Sequence, residues 1–336
     1  MNRRTFNATT LAAIIAPLPR MVFAEKARDD VPGYQVAEIN DGRLTTGHGG
    51  MATSQAAVDD ETLFQVASCS KTVTSLAILT LVRDGRVDLD GAANRYLRRW
   101  QLSVPRGASA TIAELMSHTA GTTVHGFGGY GPDDDVPNLL EILSGQPPAN
   151  TDAVRTRRRL FGKFKYSGGG TMVLQAVIED VTGLDFASYT TAKVLNPIGA
   201  QRATFAIKPE AAFAHGSYED GQRLRGGFRR HPESAAAGLW ATASDLVKIL
   251  HAIVQALRGA QDAIMPIELA QRMVTPVSGQ SGLGVFVSPD AIIYHEGRNY
   301  GFDSVMAAEL KTGRIRASVT NRNGAIESYA RKLVPD

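Results

Sequence analysis

Residues 64–83 read FQVASCSKTVTSLAILTLVR, and this stretch decides the fold. Its apolar side chains recur at helical spacing, which predicts a strand or turn over 64–67 followed by a helix over 68–84. Ser68 and Lys71 stand three positions apart at the start of that helix, so they share one face. The Lys71 amine can therefore lie beside the Ser68 hydroxyl. Because a serine needs a nearby base to act as a nucleophile, the pair is a candidate catalytic centre.

Short β-type runs lie towards both ends of the chain, with helical patterns between them. Early in the sequence, residues 34–52 have the pattern of a strand hairpin. Late in the sequence, apolar runs separated by turn residues occupy 283–287, 291–295, 303–310 and 315–321. We predict an α/β (α+β) fold, in which an antiparallel sheet built from both chain ends is flanked by helices and carries a mostly helical inserted region.

The helical middle of the chain carries its own start and stop signals. Capping-box patterns at Thr111 and Thr242 each predict a helix start. Residues 171–181 predict a further helix, and 326–333 a final one. We expect a sheet domain made of residues 25–90 and 230–336, and a helical inserted domain at 91–229.

Composition excludes several classes of protein. The 336 residues are 43% hydrophobic, which is enough for a substantial core. Residues 1–24 hold three arginines and no acidic residue, and the rest of the chain balances basic against acidic side chains, so nothing points to a nucleic-acid partner. Residues 1–24 also combine the pair Arg3-Arg4 with a short apolar stretch, which resembles a twin-arginine export signal. We expect a periplasmic or secreted protein without a stable membrane span.

No pattern predicts a metal or a cofactor. The seven histidines lack metal-ligand spacing. Residues 126–131 (GFGGYG) spell a dinucleotide fingerprint, but no strand precedes them and no helix pattern follows, so we predict a loop near the cleft. Lys311-Thr312-Gly313 lies between two predicted strands and is interpreted as a hairpin turn. The arginine-rich run 155–159 is interpreted as a solvated surface, with attraction of anionic substrates as the alternative.

Two further segments carry candidate catalytic side chains, and one offers a rival nucleophile. Tyr166 is a plausible proton shuttle if a nearby cation stabilises its phenolate. His295 ends a predicted strand, where a cation or donor can bind a substrate carboxylate or complete a proton network. Cys69, the only cysteine, adjoins Ser68, so a thiol enzyme is the alternative to a small buried packing residue.

Together these segments resemble one family, the serine β-lactamase and penicillin-recognising superfamily in its class C-like branch. The resemblance rests on the order of Ser68-x-x-Lys71, Tyr166-Ser167-Gly168 and His295-Glu296-Gly297. The flanking phrases LMSHTAG (115–121), AGLW (237–240) and Gly301-Phe302 extend it over roughly residues 42–321. The branch includes β-lactamases, DD-peptidases, D-amino-acid peptidases and esterases, and its fold is of the β-lactamase/transpeptidase type.

The resemblance implies a role for each residue. Ser68 attacks the substrate carbonyl, while Lys71 and Tyr166 share the proton transfers, in an order that the sequence leaves open. His295 stands where many relatives carry Lys and some DD-peptidases carry His. The backbone N–H groups of Ser68 and Arg298 form the oxyanion hole, in which one donor is typically worth ~10²–10³ in rate.

Two positions depart from the family pattern and bear on substrate binding. Gly168 replaces the usual Asn of the Tyr-x-Asn motif, which removes a carboxamide near the substrate amide. Glu296 replaces a small residue or Thr beside Gly297. Its carboxylate either repels an anionic substrate or pairs with Arg298 and leaves the site neutral.

The sequence therefore predicts a cofactor-free and metal-free serine hydrolase that cleaves a small-molecule ester or amide through a Ser68 acyl-enzyme. Esterase or peptidase-like activity is favoured over β-lactamase activity because of Gly168. The alternative is a penicillin-recognising or structural protein of the same fold with little turnover.

Overall fold

The computed structural model describes residues 32–325 of the chain, apart from the side chains of Arg158 and Arg159. The predicted export signal (1–24) and final helix (326–333) lie outside the described residues. In the part that is described, no helix is both long enough and apolar enough to cross a membrane.

The described residues contain ten β-strands. They are β1 (Tyr34–Asn40), β2 (Arg43–Gly49), β3 (Phe64–Gln65), β4 (Ala120–Thr122), β5 (Thr156–Phe161), β6 (Trp240–Ala241), β7 (Phe286–Val287), β8 (Ile292–Asn299), β9 (Phe302–Glu309) and β10 (Ile315–Thr320). Six of them form one antiparallel sheet in the order β2-β1-β10-β9-β8-β7. The predicted sheet from both chain ends is thus confirmed, with β1 paired directly to β10.

Eight α-helices surround and extend this sheet. They are α1 (Ser70–Arg83), α2 (Ile112–Met116), α3 (Leu139–Ser144), α4 (Gly168–Thr182), α5 (Phe186–Thr190), α6 (Ser234–Ala237), α7 (Ala243–Leu257) and α8 (Ile267–Met273). A π-helical turn continues α5 over Thr191–Leu195. The helices begin where local chemistry predicts: Thr111 and Thr242 each form both hydrogen bonds of a capping box.

The inserted region is less helical than the sequence predicts. It contains α2 to α5, but also the two-stranded β4–β5 sheet, and residues 196–229 form only turns and isolated bridges. Glycines with positive φ interrupt that stretch at four positions, three of them between residues 221 and 227, where they prevent a helix from continuing. One cluster of buried apolar side chains includes residues from both the inserted region and the sheet region. The domain boundaries therefore stay a prediction.

Candidate active site

The nucleophile candidate lies where β3 turns into α1. Ala67 adopts a left-handed conformation with φ of 48°, which is unusual for a residue with a side chain, and a 3₁₀ turn over Ala67–Cys69 leads into the helix. This turn presents Ser68 at the start of α1 and brings Lys71 Nζ within 3.0 Å of Ser68 Oγ. The i, i+3 geometry predicted from the sequence is the one observed.

Lys71 is buried, and its surroundings change its chemistry. Burial lowers the pKa of its ammonium to about 7, because the charged form loses its hydration. Nζ also donates a hydrogen bond to the carbonyl oxygen of Ala236 at 2.6 Å. A substantial fraction of Lys71 is consequently a free amine at neutral pH, with its lone pair available to the Ser68 hydroxyl.

The Ala236 carbonyl belongs to α6, which is fastened to α1 on both sides of Lys71. Thr74 Oγ1 donates to the carbonyl of Ala235 at 2.9 Å, and the backbone N–H of Leu239 donates to Ser70 Oγ at 3.0 Å. The last carbonyls of a helix have no partner within the helix, so they are natural acceptors for a lysine. The sequence did not identify this partner, although Ala236 directly precedes the family-like phrase at 237–240.

Tyr166 completes the hydrogen-bonded group around Ser68. Its hydroxyl is hydrogen-bonded to the Ser68 side chain, and its ring centre lies 5.1 Å from Lys71 Nζ. Burial raises the pKa of the phenol well above its ordinary value, so Tyr166 stays protonated at neutral pH. Ser167 fixes its position by capping α4, where its hydroxyl accepts from the N–H of Gly170.

Two histidines that sequence reasoning missed pack against Tyr166. The ring centres of His118 and His125 lie 4.5 Å and 5.2 Å from that of Tyr166. His118 Nδ1 accepts from the backbone N–H of Ser167, and burial lowers the pKa of His118, so the ring is neutral. His118 is part of the LMSHTAG phrase, but its left-handed backbone (φ 58°) and its distant partner leave no local sequence signal.

The strand β8 forms the opposite wall of the site. His295 is buried on it, and its Nδ1–H donates to the carbonyl oxygen of Glu296 at 2.7 Å. Burial, helped by the charge of Lys71, lowers the pKa of His295 to about 3. His295 is therefore a neutral imidazole at neutral pH, with Nε2 as the unprotonated nitrogen.

At Gly297, β8 comes very close to the turn that carries Ser68. A Cβ at this position would lie 2.2 Å from the carbonyl oxygen of Val66 and 3.1 Å from the backbone nitrogen of Ser68. Only glycine allows this approach. It brings the backbone after His295 next to the N–H of Ser68, as the predicted oxyanion hole requires.

Glu296 and Arg298 both line the cavity above Ser68. The Arg298 guanidinium donates to both carboxylate oxygens of Asp303, at 2.7 Å and 3.0 Å. The planar guanidinium of Arg298 thus faces Asp303 on the neighbouring strand β9. The sequence did not predict Asp303 as its partner.

Gly168 does not line the cavity, although the sequence made it a substrate-binding candidate. It is the buried first residue of α4, and its N–H donates to the carbonyl of His125 at 2.8 Å. A Cβ here would lie 2.9 Å from the ring of Phe127. Phe127 thus occupies the space into which an asparagine side chain would project.

The cavity itself has a volume of about 680 Å³ and a largely aromatic wall. Aromatic side chains from β7, β8 and the segment before α4 contribute that wall, namely Phe164, Tyr166, Phe286 and Tyr294. Acidic, basic and imidazole side chains also reach it, namely His125, Lys165, His295, Glu296 and Arg298. Over residues 32–325, no group of three or more His, Cys, Asp or Glu side chains is arranged to hold a metal ion.

The other motifs considered in the sequence do not supply a reactive group to Ser68. Cys69 is fully buried with Sγ 3.4 Å from Ser304 Oγ, and burial raises the pKa of its thiol to about 12, which disfavours a thiolate nucleophile.

Lys311-Thr312-Gly313 forms the turn between β9 and β10, as predicted. Residues 126–131 form an irregular segment without a helix. In the arginine-rich run, which forms β5, Arg155 and Arg157 are exposed.

The chain is similar to a known protein family and to several curated proteins. A family model described as Beta-lactamase matches residues 18–334. Among curated proteins, the chain is 29% identical to Esterase EstB of Burkholderia gladioli over 229 residues, 58% of this chain and 57% of that protein. It is 26% identical to a D-aminopeptidase of Gluconobacter oxydans over 284 residues, 80% of this chain and 50% of that protein. The chain thus spans about half the length of each of these curated proteins.

Solved structures share the fold at low identity. The octameric penicillin-binding protein homologue from Pyrococcus abyssi superposes with a TM-score of 0.75 at 23% identity, covering 90% of this chain and 72% of that one. A D-amino acid amidase from Ochrobactrum anthropi superposes with a TM-score of 0.73 at 20% identity, covering 90% and 93%. At such identities the likeness concerns the fold alone.

Proposed function

The chain belongs to the beta-lactamase family, and from that premise we propose that it is a serine hydrolase that cleaves small carboxylic esters through an acyl-enzyme on Ser68. One observation carries the proposal: a buried lysine whose pKa lies near neutrality is held 3.0 Å from a serine hydroxyl. That distance and that pKa are what general-base activation of a serine requires.

Lys71 acts as the base of the acylation step. Ser68 Oγ adds to the ester carbonyl carbon while its proton passes to the lone pair of Lys71 Nζ. The Ala236 carbonyl holds one N–H of the amine and orients that lone pair towards Ser68. The phenol of Tyr166 cannot be this base at neutral pH, because its raised pKa keeps it protonated.

Tyr166 serves the second half of acylation. When the tetrahedral intermediate collapses, the C–O bond to the alcohol breaks and the departing oxygen takes a proton from the phenol, which recovers one from Lys71. Water then attacks the acyl-enzyme by the same steps in reverse order, and Ser68 is restored. The N–H groups of Ser68 and Arg298 stabilise the oxyanion in both halves.

Ester hydrolysis is favoured over β-lactam hydrolysis at two positions, Gly168 and His295. Phe127 fills the space of the missing Asn side chain at Gly168, so no carboxamide is available for a substrate amide. His295, which stands in the place of the usual Lys, is neutral and offers no cation to a substrate carboxylate. An esterase among the relatives supports the same choice.

Labelling and turnover test the proposal together. The protein is incubated with a fluorophosphonate, a penicillin, a chromogenic cephalosporin and short-chain nitrophenyl esters, and intact mass and product are followed. We expect labelling of Ser68, turnover of the esters, and little turnover of the β-lactams. Ser68→Ala abolishes both labelling and turnover.

The neighbouring variant Cys69→Ser is the matched control, since Cys69 is buried beside the nucleophile without facing the cavity. Activity that survives in Ser68→Ala but is lost in Cys69→Ser contradicts the assignment. Labelling of Ser68 without turnover of any ester instead favours the alternative, a penicillin-recognising protein of the same fold.

We further propose that residues 1–24 direct export to the periplasm or medium and are then removed. Intact mass of the protein recovered from the producing cells tests this. A mass that retains residues 1–24 in the exported fraction contradicts it.

A further inference from the structure

We infer that the aromatic cluster of Phe164, Phe286 and Tyr294 is the subsite for the leaving group of the substrate, and that it selects esters of uncharged aromatic or bulky apolar alcohols. This inference rests on the proposed esterase function and names its substrate class.

The proton donor fixes the side of the site on which the leaving group lies. The hydroxyl of Tyr166 is hydrogen-bonded to Ser68, so the departing alcohol oxygen must come to the Tyr166 side to receive its proton. The ring of Tyr166 is stacked on that of Phe286 at 6.4 Å with an interplanar angle of 20°. His295 lies 5.4 Å from the same ring. Phe286 thus stands immediately beyond the proton donor.

The cluster has the shape of an open apolar wall. Phe286 contacts Tyr294 at 5.5 Å between ring centres, and Phe164 meets Phe286 edge-on at 6.0 Å. The polar end of Tyr294 is satisfied, since its hydroxyl donates to Gln280 at 2.7 Å. Phe164 is 43% exposed at the mouth of the cavity. Covering such a surface with an apolar group is favourable by ~25 cal/mol for each Å² buried.

The charges around the cluster disfavour an anionic leaving group. The only imidazole beside it on β8 is the neutral His295, and the Glu296 carboxylate lines the same cavity. Of the two cations that line it, Arg298 is engaged with Asp303 and Lys165 is exposed at the mouth. An aromatic alcohol without charge is the leaving group that this wall fits best.

The test compares acetate esters that share one acyl group, because their deacylation step is then identical and kcat/KM reports acylation. Benzyl acetate, ethyl acetate and 4-(acetoxymethyl)benzoate have alkoxide leaving groups of similar basicity but differ in size and charge. We expect kcat/KM for benzyl acetate to exceed that for ethyl acetate at least ~10-fold, and the carboxylate to remove most of the advantage. Phe286→Ala and Phe164→Ala should bring the benzyl to ethyl ratio close to one.

Controls separate the possible failures. Leu184→Ala removes an exposed apolar side chain outside the cavity and should leave the ratio unchanged. Phe286→Leu keeps an apolar side chain of similar bulk and should retain most of the ratio if Phe286→Ala fails to fold. Ethyl phenylacetate carries the ring on the acyl side, and a loss on Phe286→Ala confined to this ester overturns the assignment.

Two other outcomes also overturn the inference: equal losses on all esters, or a preference for the carboxylate ester that depends on Lys165. If no ester is hydrolysed and Ser68 is not labelled, the proposed function itself has failed. Ser68-dependent hydrolysis that is indifferent to the alcohol refutes the subsite alone.

Discussion

The two walls of the cleft differ in how closely they follow the family pattern. The helical wall, formed by α1, α6 and the start of α4, holds Ser68, Lys71 and Tyr166 in a hydrogen-bonded group in which each member has a partner. The strand wall, formed by β8, replaces the usual cation with a neutral His295 and adds the Glu296 carboxylate. Under the proposed function, the proton transfers belong to the helical wall, whereas the strand wall contributes one oxyanion donor and bears on the choice of substrate. Substitutions on the two walls should therefore have different effects.

The largest effect is expected on the helical wall, from Lys71→Met. Removal of the base should lower kcat/KM by ~10²–10⁴. The free energy of unfolding should increase in the same variant. Because burial lowers the pKa of Lys71, the native state is penalised wherever the unfolded chain carries the charge, fully below about pH 7 and no longer above the ordinary lysine pKa.

Lys71→Met should accordingly be more stable than the wild type at pH 6, by at most ~5 kcal/mol, and lose that advantage towards pH 10. Thermal unfolding at the two pH values measures this, with the exposed Lys193→Met as control. A stability difference that is the same at both pH values contradicts a buried Lys71 with a lowered pKa.

The next effect is expected where the two walls meet, from Gly297→Ala. The added Cβ would force β8 away from Val66 and Ser68. We expect kcat to fall by ~10²–10³, the value of one oxyanion donor, while KM changes less. Gly126→Ala, whose Cβ would meet open space, is the matched control. Retained kcat in Gly297→Ala would show that this approach is not needed for catalysis.

The pH dependence of kcat/KM shows which wall carries the group whose protonation controls activity. Lys71 must be unprotonated, so activity should fall on the acid side with a midpoint near pH 7, about tenfold for each further pH unit. His295 is already neutral there, because its pKa is about 3. His295→Gln should therefore keep the same midpoint. Loss of the acid limb in that variant would transfer the titration to the strand wall.

Local chemistry made much of the fold predictable. The capping boxes at Thr111 and Thr242 act within four residues, and the hairpin and late strands follow from alternating runs and turns. The motifs that contain Ser68, Lys71, Tyr166 and His295, and their order along the chain, could likewise be recognised in the sequence.

The features of the site that the sequence did not predict depend on contacts between distant segments. The carbonyl that holds Lys71 lies 165 residues further along the chain. His118 reaches Ser167 only through its left-handed backbone, and Phe127 fills the space above Gly168 only in the folded chain. The neutrality of His295 also follows from burial, which a single motif does not report.

The smallest effect is expected on the strand wall, from Glu296→Gln. The side chain lines the cavity but is not part of the proton path, so kcat/KM for an uncharged ester should change by no more than ~3-fold. An ester with an anionic alcohol should gain up to ~10-fold, because a like charge is removed. The exposed Glu268→Gln serves as control. A large loss on the uncharged ester would give Glu296 a catalytic part.

The pairing of β1 with β10 has a consequence for the order in which the site is made. His295 on β8 contacts Cys69, the residue beside the nucleophile candidate, across 226 residues of sequence. The sheet is complete only when β10 inserts between β1 and β9. Contacts of such long range form slowly and late. During synthesis, Ser68 and Lys71 are thus translated long before β8, the strand that the proposed oxyanion hole requires. A chain that stops before β10 leaves β1 and β9 as open edges that invite aggregation.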